Sequence, residues 1–280
     1  MQTQNHYSQE ELNKGQEIAT LQQHLFNLTE ENYISTISFL QSSQYLLDIS
    51  NHETFLRNLF WSLQLRPRII SQLFDLFIWF STNEDFSPSK IVETILSSFF
   101  IRCHSNFESH SKFVYSFFSG IFKLLDDTFD STSTDQNYIN GFIEKMMKMN
   151  ENEILKIKKE ISFQNDDILS IIYRDDIERF TSLSSRPGFD INCHLSISSP
   201  FLFSIEENMT LIEASTVLGS VQIFKYITVN GGNMTTNSPF SKYSIQGGCS
   251  EIIRIVEQKG FQFKEDELSE AAYFHQLGIL

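Results

Sequence analysis

Apolar positions in the first 165 residues recur at helical spacing, one segment after another, with no convincing strand alternation. Ser8-x-x-Glu11 reads as a capping box opening a polar helix to about Leu28. A second helix is expected from about Glu30 to Leu47, with Ile34, Ile37, Leu40 and Leu47 near one face. Asn51 is expected to cap a third, whose Phe55, Leu59 and Leu63 stand four apart. Pro67 sits at a first-turn position, and Ile69, Ile70, Leu73, Phe74, Phe77 and Phe80 follow on one face. Leu76, Ile78 and Trp79 make that helix apolar almost all round, which predicts a buried, central element. Ser87-Pro88 starts another with Ile91, Ile95 and Phe99, and Phe113, Phe117, Ile121 and Leu124 mark the next. After a polar break at Thr132–Gln136, Tyr138–Met149 and Asn150–Ile161 close the set, the last opened by Asn150-x-x-Glu153. The pattern predicts roughly eight helices, an irregular all-α bundle or solenoid over residues 1–162.

From 163 to 280 the pattern changes to one unit written several times. Thr210-Leu211-Ile212-Glu213-Ala214-Ser215 leads through Gly219 to Val221-Gln222-Ile223-Phe224 and ends at Gly231-Gly232. About thirty residues on, Phe240–Ile245 leads through Gly248 to Ser250-Glu251-Ile252-Ile253 and ends at Gly260. Aligned backwards, Ile177-Glu178-Arg179-Phe180 falls on the same outer-helix positions, and that copy ends at Asp190-Ile191-Asn192. The copies span about 166–192, 209–235 and 238–264, with a partial one at 266–280; Cys193–Asn208 reads as an enlarged loop. One such unit cannot bury its face alone, so several must stack.

These residues resemble the ankyrin repeat. Thr210 and Ile212 stand at its Thr and Leu positions, Ser215 and Thr216 at its small positions, and Gly219 at its turn. Gln222–Ile227 forms the outer helix, and Asp190–Asn192 matches the closing motif. Leu211-Ile212-Glu213 replaces the Pro-Leu-His core of the family pattern, so its buried His is missing. The combination of a helical N-terminal region with short, degenerate repeats looks like ankyrin families expanded in parasitic protists. The resemblance implies a non-catalytic protein–protein interaction scaffold that binds an unidentified protein through the concave face of inner helices and loops. On that face Glu213, Thr216, Lys242, Tyr243 and Gln246 are the expected exposed contacts, with the Cys193–Asn208 insertion as a second surface. Ser215, Ser244 and Ala271 are expected to keep facing helices close. An alternative assigns an effector or enzyme role to residues 30–160, the repeats then serving for targeting or self-association. The unfinished last copy would leave an open repeat end, a route to weak self-association.

Composition adjusts this picture at a few points. Net charge is −14, with −8 on residues 1–166 (13 basic, 21 acidic) and −6 on residues 167–280 (8 and 14). Evenly spread acidity argues against a nucleic-acid partner, which needs a basic surface. Phe is unusually frequent, at 27 residues, and most stand at helical spacing. Met1–Gln9 lacks an apolar signal region, and the apolar windows Ile69–Phe80 and Phe113–Leu125 are too short to span a bilayer. Three scattered cysteines fit reduced thiols in a cytoplasmic or nuclear compartment. Cys103-His104 with His110 lacks a fourth convergent metal ligand, and Ser87-Pro88-Ser89-Lys90 reads as helix-start chemistry rather than a nucleophile. Asp126/Asp127, Asp166/Asp167, Asp175/Asp176 and Glu206/Glu207 are placed at loops or helix ends. No cofactor, metal or catalytic group is expected.

Overall fold

The computed structural model describes residues 8–48, 51–82, 91–96, 109–130, 132–133, 135–161, 167–195, 208–235, 239–264 and 271. Among these the chain is all-α, its only β feature an isolated antiparallel bridge between His194 and Thr210. It divides into two compact units: residues 1–115 with 130–148, and residues 116–129 with 149–280. The unit that holds the repeated pairs also takes in Ser116–Phe129 and the helix Glu151–Ile161.

In the first unit, α1 (Gln9–Phe26), α2 (Tyr33–Ser42), α3 (Gln44–Leu47), α4 (His52–Leu65) and α5 (Ile70–Ser81) follow in order, a 3-10 turn Pro67–Ile69 leading into α5. Its core is aromatic. Phe55, Phe60, Phe74, Phe77 and Phe80 are fully buried, and the rings of Phe55 and Phe80 lie 4.1 Å apart across α4 and α5. Leu73 and Leu76 are buried with them while Ile78 and Trp79 are only partly buried, so α5 buries one face and α4, which packs on α1, α3 and α5, is the central helix. Residues 91–96 are helical with Ile91 and Ile95 buried.

Two expectations need correction. The helix expected over residues 30–47 is two helices, because Ser43 adopts an extended conformation. Its hydroxyl donates to Leu40 O at 2.7 Å and accepts from Tyr45 N–H, ending one helix and starting the other. Asn51 precedes α4 without a side-chain capping bond; its amide points back toward Gln44 O instead. The side chain of Glu11, the Ser87-Pro88 start, Phe99, Cys103-His104, most of the 193–208 insertion and the last copy apart from Ala271 lie outside the described residues.

α6 (Ser109–Leu125) and α7 (Gln136–Met147) follow, α7 capped by Asp135, whose carboxylate accepts from Asn137 and Tyr138 N–H. In the second unit Phe117, Phe118, Ile121 and Phe122 are buried, and α8 (Glu151–Ile161) ties to this stretch through Lys156 Nζ donating to Leu124 O. The Asn150/Glu153 box forms as expected: Asn150 Oδ1 accepts from Glu153 N–H, and the Glu153 carboxylate accepts from Asn150 N–H.

Three helix pairs then stack: α9 (Ile168–Arg174) with α10 (Ile177–Ser184), α11 (Leu211–Val217) with α12 (Val221–Val229), and α13 (Phe240–Gly247) with α14 (Ser250–Gln258). The inner helices α9, α11 and α13 pack in sequence, and so do the outer helices α10, α12 and α14. The backbone keeps one register through them. The inner-to-outer turn is left-handed at Asp175, Gly219 and Gly248, and the exit turn has positive φ at Gly188, Gly231 and Gly260. Ser215, Ser244 and Ala271 are fully buried, the two serine hydroxyls each bonded back to a carbonyl of their own helix.

Candidate functional site

The inner helices of the stack carry the residues expected to meet a partner, and burial divides them. Thr216 is completely buried; its hydroxyl donates to Ile212 O at 2.7 Å, which satisfies it inside the helix. Tyr243 is buried too, at 7% exposure. Both were expected on an open surface, and the correction has a physical reason. The inner helices are buried on nearly every side: Leu211, Ile212, Ala214, Ser215 and Val217 in α11, and Phe240, Ser241, Ser244 and Ile245 in α13. Helical periodicity identifies an apolar face but does not say how wide it is.

Glu213 is half-buried and occupied. Its carboxylate accepts from the Thr210 N–H and hydroxyl at 2.8 Å each, while Thr210 Oγ1 accepts from Glu213 N–H. This capping box starts α11 and makes Glu213 a helix-start residue. Gln246 is half-buried, and Lys242 is exposed. The five residues therefore do not form one open patch.

The ties between neighbouring pairs lie elsewhere. Asp175 Oδ2 accepts from Gln222 N–H at 3.1 Å and Oδ1 from Ile223 N–H at 3.0 Å, so the carboxylate of the first pair caps the outer helix of the second. Ser220, which directly precedes that helix, makes no capping bond; its hydroxyl reaches across to Ile172 O at 2.6 Å. Asp176 caps its own helix through Arg179 N–H, and Asp167 caps α9 through Ser170 N–H. The acidic pair at 175/176 is thus committed to two helix starts. One signal pointed to this: Asp175 stands where the other copies have Gly219 and Gly248, and a carboxylate at a left-handed turn can serve a neighbour.

At the exit turns Asn192 Nδ2 donates to Gly231 O at 3.2 Å and Asn192 Oδ1 accepts from Asn233 N–H at 2.8 Å. The amide joins successive turns in both directions. Next to it, Leu195 N–H donates to Met209 O at 2.7 Å and Asn208 N–H to Leu195 O at 3.1 Å. These bonds close the base of the insertion as a hairpin-like stem, with Leu195 and Met209 buried. Outer-helix contact adds Ser184 Oγ with Tyr226 OH at 2.9 Å and an exposed Lys225–Glu251 ion pair at 2.6 Å.

In the first unit a groove of about 390 Å³ lies among Asn13, Gln16, Glu17, Thr20, Phe39, Ser43, Gln44 and Tyr45. Gln44 donates to the Glu17 carboxylate within it. Burial and the nearby Glu17 carboxylate raise the pKa of the Tyr45 phenol. Amides, hydroxyls and one carboxylate lie around two aromatic rings, and most of the surface that lines the groove is apolar.

The remaining groups serve packing and capping. Phe117 and Phe118 are core residues. Asp126 accepts from the Thr128 N–H and hydroxyl. Gly231 and Gly248 serve left-handed turns, and Gly247 lies where an added Cβ would come 2.2 Å from Thr216 O. Among the described residues, no group of three or more His, Cys, Asp or Glu is placed to hold a metal ion. No helix there is long and apolar enough to cross a membrane.

No protein-family model matches the chain, and neither a curated protein nor a solved structure matches it.

Proposed function

We propose that this protein is a non-catalytic interaction scaffold, its C-terminal region an ankyrin-like stack that presents loops to a protein partner. The observation that carries the reading is the single register of three helix pairs, inner on inner and outer on outer, with matching left-handed turns. Such a stack builds an extended surface from repeated elements. With Thr216 and Tyr243 buried, the contact surface centres on Lys242 and on the loop edge, where Asn192 joins the exit turns beside the base of the insertion. Fold analogy alone assigns the class, so the partner has to be found by binding.

The test is affinity capture from the native cell with the full chain, a Lys242→Glu variant, and a variant in which residues 197–206 are replaced by a short turn. The expected result is a protein retained by the wild type and lost by at least one variant that keeps its circular dichroism spectrum. Equal retention by all three would remove the proposed surface. The groove in the first unit supports a second reading, an effector role for the N-terminal helices. Under that reading substitutions in the groove of the full chain, Gln16→Ala with Gln44→Ala, would lose the partner, and Lys242→Glu would keep it.

A further inference from the structure

The chain contains two Asn-Gly pairs, Asn140-Gly141 and Asn230-Gly231. In such a pair the glycine nitrogen can approach the asparagine side-chain carbon, because no side chain on the following residue stands in the way. The fold gives the two pairs opposite surroundings. Asn140-Gly141 lies inside α7, with Asn140 half-buried and the backbone engaged in the helical ladder. Asn230-Gly231 closes α12 and is exposed at both residues. Gly231 has φ +91° with open space around it, and its N–H donates to no acceptor among the described residues.

The same pair sits at a junction. Asn230 Nδ2 donates to Tyr226 O at 2.8 Å, and Gly231 O accepts from Asn192 of the preceding exit turn. Gly232 N–H donates to Ile227 O at 2.8 Å.

We propose that Asn230 is a site of spontaneous deamidation whose product loosens the junction between the first and second helix pairs. The Gly231 nitrogen attacks Asn230 Cγ, a C–N bond forms, and the Cγ–Nδ2 bond breaks. Ammonia leaves with the proton from the Gly231 nitrogen. Water then opens the five-membered imide at either carbonyl, giving aspartate or isoaspartate without any redox change. Either product replaces the Nδ2 donor by a carboxylate facing Tyr226 O at the negative end of α12. The isoaspartate form also adds a main-chain methylene and displaces Gly231 O from Asn192.

Full-length protein incubated at mildly alkaline pH and physiological temperature, then digested and mapped by mass spectrometry, tests the chemistry. The peptide containing Asn230 is expected to gain the mass of amide-to-acid conversion, with isoaspartate the larger fraction. The peptide containing Asn140 is expected to change at least tenfold more slowly, and the difference is expected to vanish in urea. Asn230→Gln should stop the conversion at that peptide. Asn230→Asp should lower the melting temperature by about 2–4 °C and speed amide exchange in α10 and α12. No conversion at Asn230 in the folded chain, or equal rates at the two pairs, would overturn the assignment of the site. An Asn230→Asp variant with unchanged melting and exchange would overturn the link to the junction.

Discussion

Asp175 offers the sharpest test of how the stack is held. Its side chain accepts two N–H bonds at the start of α12, and its own backbone is left-handed, with φ 54°. Three substitutions separate these roles. Asp175→Asn keeps one acceptor oxygen and a residue type that tolerates the left-handed region, and should cost about 1 kcal/mol through loss of charge. Asp175→Gly loses both bonds but fits the turn, as Gly219 and Gly248 do at the matching positions. Losing a helix cap costs about 1–2 kcal/mol, a loss expected in full for glycine. Asp175→Ala adds about 1 kcal/mol for alanine in the left-handed region, giving about 2–3 kcal/mol in total. With tenfold per 1.4 kcal/mol, amide exchange in α12 should accelerate roughly thirty- to a hundredfold for alanine where the junction opens locally. Hydrogen exchange read by mass spectrometry on peptides from α12 and α14 measures this, with α14 as the internal reference. The reasoning fails if alanine is no worse than glycine, or if α12 keeps wild-type protection in all three variants.

Two further outcomes follow from other positions. Gly247→Ala places a Cβ 2.2 Å from Thr216 O, a backbone atom, and should destabilise the stack by about 1–3 kcal/mol, whereas Gly15→Ala in open space should stabilise its exposed helix by about 0.5–1 kcal/mol; urea unfolding of both variants checks the opposite signs. Burial and the Asp75 carboxylate raise the Tyr33 pKa from 10.0 to about 12. The folded state then holds this proton more tightly than the unfolded chain. The contribution is complete below pH 10 and is lost as pH rises toward 12. Tyrosinate absorbance should show a tyrosine titrating near pH 12 in the folded protein that is absent in Tyr33→Phe, whose stability should fall less over that range.

Much of the local structure is readable from residue order, because helix starts, apolar faces and glycine stops are short-range chemistry. Asn150 and Glu153 form the box their spacing predicts, and Leu73, Phe74, Phe77 and Phe80 are buried in the core of their unit. The register of the copies, from Ile177 to Val221 to Ser250, is also reproduced by the three outer helices. The exposed contacts are a different matter. Thr216 and Tyr243 look like surface positions when each helix is viewed alone, and they are buried once its neighbours are in place.

The sequence by itself determined that the chain is helical, where most helices lie, and that a pair of helices recurs near the C-terminus. It could do so because turns, caps and apolar spacing act within a few residues of each other. Only the tertiary structure decided how successive pairs are joined. At the first junction a carboxylate and an amide, Asp175 and Asn192, reach 39 to 48 positions along the chain to bond backbone groups. At the second, Gly219 and Gly247 bring two backbones so close that no side chain fits. Partners so far apart leave no periodic mark in the sequence, since what selects them is the packing of one pair on the next.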